Sequence, residues 1–337
     1  MKNPDISVCI PVFETEEYLE QCLRSVVTQD FPSFEIIVVS DASLGRDSQG
    51  RSAKKIVRAM EKESNRLRKA AGQPKIELRF IEHSENRGLV EARRTSVYEA
   101  KGKYILQCDS DDQLAPGALD ALWSAATTLG DTSPFYDIIH GSSTAGTFDS
   151  QNNFTPSKQN RYNAIHLGTL EGRSIFESWL LGREISSNTW GKLIKREVFL
   201  EAFDSIPYTE CNMAEDFLLF FFISQNTKTY IGIENQCYRY RDNTGMTSTR
   251  KIDSLQKWKM VCSAASVFTI ISQWLQENPQ RLTPPEVESI KRRTAFYLKN
   301  NLKQMKETVI PELLPQARQL LCDYWGQSFV EKIEADI

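Results

Sequence analysis

Long apolar runs are what this sequence lacks most visibly. The longest, Phe217 to Ile223, falls far short of the roughly 18 residues that a membrane-crossing helix needs. A glycine-rich phosphate loop is missing too. Neither GxGxxG nor GxxxxGKS/T follows the first strand-like segment, which argues against a dinucleotide oxidoreductase and a P-loop enzyme. The seven cysteines form no CxxC pair and the three histidines lie far apart, so no zinc site is expected and a reducing compartment fits best. Charge of one sign is not in excess: the formal net charge is -3, which points to no nucleic-acid partner. No apolar leader follows Met1-Lys2-Asn3-Pro4-Asp5, so the expected location is the cytoplasm, with peripheral contact at the inner face of the membrane as the one extension of that reading.

What is present is enough apolar residue, 40% of 337, for a full core. Ile6 to Val12 and Glu35 to Ser40 are short, β-branched apolar runs that read as buried parallel strands. Between them Tyr18, Leu19, Cys22, Leu23, Val26 and Val27 recur at helical spacing, with Thr15 as the cap and Glu16 and Glu17 in the first turn. A charged helix follows from about Arg51 to Ala71. Then come a strand at Ile76 to Ile81, a helix at Leu89 to Ala100 and a strand at Tyr104 to Cys108. This alternation predicts an α/β fold with a mostly parallel, Rossmann-like sheet flanked by helices. A helix near Pro116 and a strand at Asp137 to His140 come next, and residues 142 to 170 read as a long polar surface loop. A helix is expected near Met213 to Gln225, then two short strands near Thr229 to Ile233 and Gln236 to Tyr240. From about Asp253 the chain reads as helical, broken by prolines into about three helices.

In an open parallel sheet, ligands bind beyond the carboxyl ends of the strands. The residues just there are Phe13 and Glu14, Asp41, Asn86-Arg87-Gly88, and Asp109-Ser110-Asp111-Asp112. Acidic clusters at strand ends suit a hydrated Mg²⁺ or Mn²⁺ that neutralises a diphosphate, because hard carboxylate oxygens hold such cations.

Ser7-Val8-Cys9-Ile10-Pro11-Val12-Phe13, Ile36 to Ser43, Asn86 to Arg94 and Gly102 to Asp112 resemble, in order and spacing, successive blocks of the family 2 glycosyltransferases. Trp190 to Glu197, Glu215 to Leu219 and Tyr238-Arg239-Tyr240-Arg241 extend the resemblance to roughly residues 5 to 250. It implies a GT-A fold, a nucleotide-sugar donor with UDP as the nucleotide, and inversion at the sugar carbon. It also implies that Pro11 belongs to the nucleotide-binding site, that Phe13 flanks the base and that Asp41 accepts the N3 proton of uracil. Asp109, Ser110 and Asp111 would form a DxD motif that meets the ribose and Mn²⁺ or Mg²⁺, with Asp112 as a further metal ligand. Arg93 would approach the diphosphate, and Asp216 would be the general base, with Glu215 in reserve. Phe13-Glu14 stands where the family usually has Tyr-Asn, and Ser40-Asp41-Ala42-Ser43 where it has Asp-Asp-Gly-Ser. These departures bear on the donor more than on the reaction class.

The expected organisation is a GT-A domain over residues 1 to 250, with a nucleotide half to about 141 and an acceptor half from 142, then a helical extension over 251 to 337. The acceptor is expected to be a glycan or lipid-linked glycan. The extension could cover the acceptor cleft, pair two copies into a homodimer, or touch the membrane through Lys291, Arg292, Arg293, Lys299, Lys303 and Lys306 around an apolar stripe. Plainer readings stand beside these: Asp41 as a helix cap, Glu215-Asp216 as dipole partners at a helix start, and Trp190 as core. Rival functions are a nucleotidyltransferase and a catalytically silent nucleotide-sugar or glycan-binding module.

Overall fold

The computed structural model describes residues 3–127, 135–158, 164–242, 244 and 251–336. The chain begins with β1 (Ile6–Val12), α1 (Glu16–Val27), β2 (Phe34–Ser40), α2 (Ala53–Ala70), β3 (Glu77–Glu82), α3 (Leu89–Glu99) and β4 (Tyr104–Gln107). β5 (Gln113–Leu114), α4 (Ala118–Thr127), β6 (Ile138–Phe148), β7 (Phe154–Pro156), β8 (Gly168–Glu171) and α5 (Arg173–Glu177) follow. After a π turn come β9 (Lys192–Lys195), α6 (Arg196–Asp204), α7 (Glu215–Asn226) and β10 (Thr229–Arg241). The chain closes with α8 (Leu255–Cys262), α9 (Ala264–Glu277), α10 (Pro284–Thr308), α11 (Leu314–Trp325) and α12 (Gln327–Ala335).

One sheet runs β3-β2-β1-β4-β9-β6-β10-β5, with β7 beside β6 and β8 beside β10. It is parallel across β3-β2-β1-β4 and mixed beyond, because β9 enters antiparallel to both β4 and β6. Every residue of β1 and β2 is buried, as expected of strands covered on both faces. Ile6, Val8, Ile10 and Val12 pack with Leu19, Leu23, Ile56 and Leu119, in the layer of α1, α2 and α4. Cys9, Ile37 and Val39 face the opposite core with Val90, Phe199 and α7.

Two expectations about the second half need correction. The stretch read as a loop, 142 to 170, carries the rest of β6 as well as β7 and most of β8; its residues 159–163 lie outside the described residues. Polar side chains do not prevent a strand when the backbone is paired on both edges, as β6 is with β9 and β10. The two short strands expected over 229 to 240 are one strand, β10, with register shifts between Ile233 and Gln236 and between Gln236 and Tyr238.

The apolar run Phe217 to Ile223 is buried all round as α7, so it packs on several sides at once. Phe217 meets Phe268 at 5.7 Å between ring centroids, and Phe221 meets Trp274 at 5.3 Å. Each such ring contributes about 1.5–3 kcal/mol by burial. The region after Asp253 holds five helices, more than the three expected, because a break at Ser263 and one at Gly326 are not marked by proline. The stripe on α10 faces inward through Ile290, Leu298, Leu302 and Met305, and the Asn301 carboxamide oxygen accepts the Trp325 indole N–H at 3.0 Å. Among the described residues no helix is long and apolar enough to cross a membrane.

Candidate active site

The loops after β1, β2 and β4 gather at one edge of the sheet, and the start of α7 joins them. Three non-glycine residues there have left-handed backbone: Glu14 (φ 55°), Ala42 (φ 54°) and Ala214 (φ 63°). Each costs on the order of 1–3 kcal/mol, a strain that tends to collect where side chains must be aimed. Phe13 is 36% exposed, and Pro11 is buried in β1 in register with Val39. The proline therefore shapes the strand end.

Asp41 is buried and crowded with donors. Its carboxylate meets His83 Nδ1 at 2.7 Å and accepts the backbone N–H groups of Arg87 at 2.9 Å and Gly88 at 2.8 Å. It does not cap α2; it fastens the start of α3 to the end of β2. Gly88 is required there. Its φ is +91°, and a Cβ would fall 2.9 Å from the backbone of Glu210. Two of the three donors share Oδ1, so Oδ2 keeps an acceptor position.

In the 109–112 loop exposure alternates: Asp109 and Asp111 are half-buried, and Ser110 and Asp112 are buried. Ser110 Oγ shares a hydrogen bond of 2.6 Å with Thr15 Oγ1, so Thr15 ties α1 to this loop instead of capping α1 with its side chain. The Asp112 carboxylate accepts the Tyr238 hydroxyl at 2.8 Å and the Arg241 N–H at 2.7 Å. Burial, with Asp111 and Asp109 nearby, pushes its pKa well above the usual range. In this arrangement Asp112 acts as an internal brace, with one oxygen on Tyr238 and the other on Arg241. Asp111 accepts the Thr244 hydroxyl at 2.8 Å on Oδ2, and the Arg241 Nε–H at 2.8 Å on its backbone carbonyl.

Arg93 links the two sides of the site. Its guanidinium, 1% exposed, reaches Asp109 at 3.0 Å, Asp216 at 2.8 Å and Glu215 at 3.4 Å. Its two terminal nitrogens are taken up by these carboxylates, while its buried Nε has no hydrogen-bond partner among the described residues. Burial alone would weaken its charge, but Asp216, Asp109 and Glu215 outweigh that and hold it firmly protonated. One guanidinium does not balance so many acids. Burial raises the Asp109 pKa, with Arg93 opposing and Asp216 and Asp111 adding; burial and then Asp216 raise that of Glu215. Asp216 is 27% exposed, and its Oδ1 is reached by Thr189 N–H at 3.4 Å and Thr189 Oγ1–H at 3.3 Å as well as by Arg93. Its Oδ2 carries no hydrogen bond among the described residues. Trp190 is core: it is buried and stacked on Tyr238 at 4.6 Å and Tyr240 at 5.5 Å.

Among the described residues no three acidic, histidine or cysteine side chains converge closely enough to hold a cation unaided. A hard cation such as Mg²⁺ or Mn²⁺ commonly takes one or two carboxylates and completes its shell with phosphate oxygens and water. Asp109 and Asp111, half-open on a loop with surplus negative charge, fit that manner of binding.

Residues 7–184 match the family model described as "Glycosyl transferase family 2". The chain belongs to this family. Over 247 residues it is 26% identical to the glycosyltransferase GlyA of Streptococcus pneumoniae, a match that covers 72% of this chain and 31% of that protein. The putative glycosyltransferase EpsH of Bacillus subtilis is 24% identical over 279 residues, 82% of this chain and 71% of that one. The chain thus spans under a third of GlyA and most of EpsH. The solved structure of S. aureus TarS 1-349 in complex with UDP-GlcNAc superposes with a TM-score of 0.51 at 17% identity, covering 98% of this chain and 92% of that one. The likeness carries the GT-A fold, including the C-terminal helices. As a family 2 glycosyltransferase the protein is an enzyme of sugar transfer, and the carboxylates above line the face where this fold receives ligands.

Reading the sequence missed several residues that act on the site at second hand. Tyr238 donates to Asp112 and accepts the Asp109 N–H at 3.0 Å, and Thr189 and His83 fix Asp216 and Asp41. Tyr238 and Arg241 sit in a block quoted for its resemblance, which was the one signal available for them.

Proposed function

We propose that this protein transfers a sugar from a UDP-sugar to a hydroxyl of a glycan acceptor, with inversion, and that Asp216 is the general base. The observation that carries the reading is the Arg93 bridge, because one buried guanidinium holds a DxD carboxylate and the first-turn acid of α7 against each other. Donor-side and acceptor-side acids therefore border one small space. That TarS was solved with UDP-GlcNAc supports the choice of nucleotide.

In this reading the uracil lies against the exposed Phe13 ring, and Asp41 uses its remaining acceptor position for the N3 proton. Asp109 and Asp111 would hold Mn²⁺ or Mg²⁺, which supplies positive charge beside the diphosphate. Asp216 Oδ2 takes the proton of the acceptor hydroxyl as that oxygen attacks the sugar carbon. The bond from this carbon to the diphosphate oxygen breaks on the opposite face, and its electron pair leaves with UDP. Thr189 and Arg93 hold the other oxygen, so the basic atom has a fixed direction. Glu215 is less suited, since burial and its neighbour favour its neutral form.

The test is a panel of UDP-, GDP-, CDP- and TDP-sugars incubated with the full chain and Mn²⁺, with and without chelator, with release of nucleoside diphosphate measured. Slow chelator-sensitive release from UDP-sugars is expected. Release of pyrophosphate instead, or no release and no binding across the panel, would overturn the reading.

A further inference from the structure

Two cavities on the C-terminal helices lie outside the site described above. One, of about 620 Å³, lies between α9 and the α11–α12 turn; the other, of about 400 Å³, continues from it to the loop before α7. They adjoin at Thr269 and Tyr324, which line both, and together the two make a shallow trough that extends from Trp325 and Phe329 to Tyr208 and Glu210. Each is of the size that small ligands occupy, about 300–1,000 Å³.

We propose that this trough holds the distal sugars of a neutral oligosaccharide acceptor, a proposal that rests on the glycosyltransferase reading above. Its floor on α9 is Thr269, Ser272, Gln273 and Gln276, spaced i, i+3, i+4 and i+7, which puts two hydroxyls and two carboxamides on one helix face. A merely solvated face is usually rich in Lys and Glu, whereas this one is uncharged up to Glu277. The rings of Tyr324 and Phe329 stand on the other side, half-buried. Aromatic faces suit the C–H face of a pyranose, and carboxamides and hydroxyls both give and accept hydrogen bonds with its hydroxyls.

Charge decides between acceptor types. Among the residues lining either cavity there is no Lys or Arg, and Glu210 and Glu277 are both present. Glu210 is paired with Lys259 at 3.3 Å just outside the lining, so the lining itself offers a polyanionic chain no cation and one unpaired like charge, Glu277. The near end also lies in the right place. Tyr208 is 60% exposed, the backbone of Glu210 packs on Gly88 beside Asp41, and the same loop runs on to Glu215 and Asp216. A glycan lying in the trough would present one end toward the base.

Calorimetric titration of the full chain with maltohexaose, cellohexaose, chitohexaose and poly(glycerol phosphate) tests this. At least one hexaose should bind with a Kd near or below about 1 mM, and Ser272→Trp, which fills the trough from an exposed position, should weaken it about tenfold or more. Gln276→Ala, which removes a hydrogen-bonding group without adding bulk, should weaken it about threefold and serves if Ser272→Trp does not fold. The proposal is overturned if no hexaose binds, if neither variant changes the Kd, or if only poly(glycerol phosphate) binds. UDP release from UDP-sugars is measured on the same wild-type sample. Release without hexaose binding removes the trough and spares the function; hexaose binding without release from any nucleotide sugar does the reverse.

Discussion

The two sides of the site are built differently. On the donor side, Asp41 and Asp112 are buried, and each carboxylate is held by two or three donors, most from backbone N–H groups or a buried tyrosine. On the acceptor side, Asp216 is a quarter exposed, stands after a left-handed alanine, and is held through one oxygen, with Thr189 at the long end of hydrogen bonding. A side fixed in this way suits the proposed binding of one constant nucleotide. On the acceptor side one oxygen is left open, as the proposed general base requires. Among the described residues, Arg93 is the group whose ion pairs reach both sides.

That contrast can be broken most severely at Arg93. Arg93→Met leaves Asp109, Asp216 and Glu215 without their buried counter-charge, so a loss of about 3–5 kcal/mol of stability is expected, together with loss of transfer. Urea unfolding measures it, and a loss below about 1 kcal/mol would mean that the two sides stand independently. Asp216→Asn sharpens the contrast by touching one side alone. Turnover should fall by roughly 10²-fold or more while UDP affinity persists. Wild-type turnover in Asp216→Asn with a dead Glu215→Gln would exchange their roles. Asp111→Ala is the matching change on the donor side. It should weaken UDP binding about tenfold and abolish the effect of Mn²⁺ on that binding; equal titrations with and without metal in the wild type would sink the metal assignment.

A smaller effect probes the backing of the acceptor side. Burial pushes the Lys192 ammonium down to about 7, although Asp216 pulls the other way. Its Nζ donates to the Asn188 carbonyl at 2.5 Å and to Ser186 Oγ at 3.1 Å, holding the segment that ends at Thr189. Between the folded pKa and the ordinary lysine value of about 10.4, the unfolded chain binds more protons. Wild-type stability should therefore rise from pH 7 toward pH 10 relative to Lys192→Met. Unfolding midpoints of the two proteins across that range check the sign, and parallel curves would mean that Lys192 carries its charge as water-exposed lysines do.

The same division governs what could be read in the sequence. The donor half was legible because β1, β2 and β4 are short apolar runs and each is followed at once by the residues that matter: Phe13, Asp41 and Asp109 to Asp112. Strand type and site position came from one local pattern. The acceptor half hid its strands: Ser142, Ser143 and Thr144 in β6 carry no apolar run, and β10 breaks its pattern at the bulge. Arg93 could be noticed, but its destination could not. Its partners lie 16, 122 and 123 residues away, and only the fold shows that it is buried among carboxylates. Tyr238 and Thr189 were opaque for the same reason.

The phenylalanines of α7 have a consequence for anyone cutting or recombining this chain. Glu215 and Asp216 ride on a helix whose rings are wedged against Phe268 and Trp274, and Arg293 of α10 lies 5.4 Å over the Phe217 ring. The boundary that looks natural in the sequence, near residue 250, runs through the middle of one apolar body. A chimera that keeps residues 1 to 250 and borrows another protein's tail would inherit Glu215 and Asp216 without the helices that α7 rests on. Exchange of acceptor preference between relatives is better attempted by regrafting the exposed face of α9 than by swapping the helices wholesale.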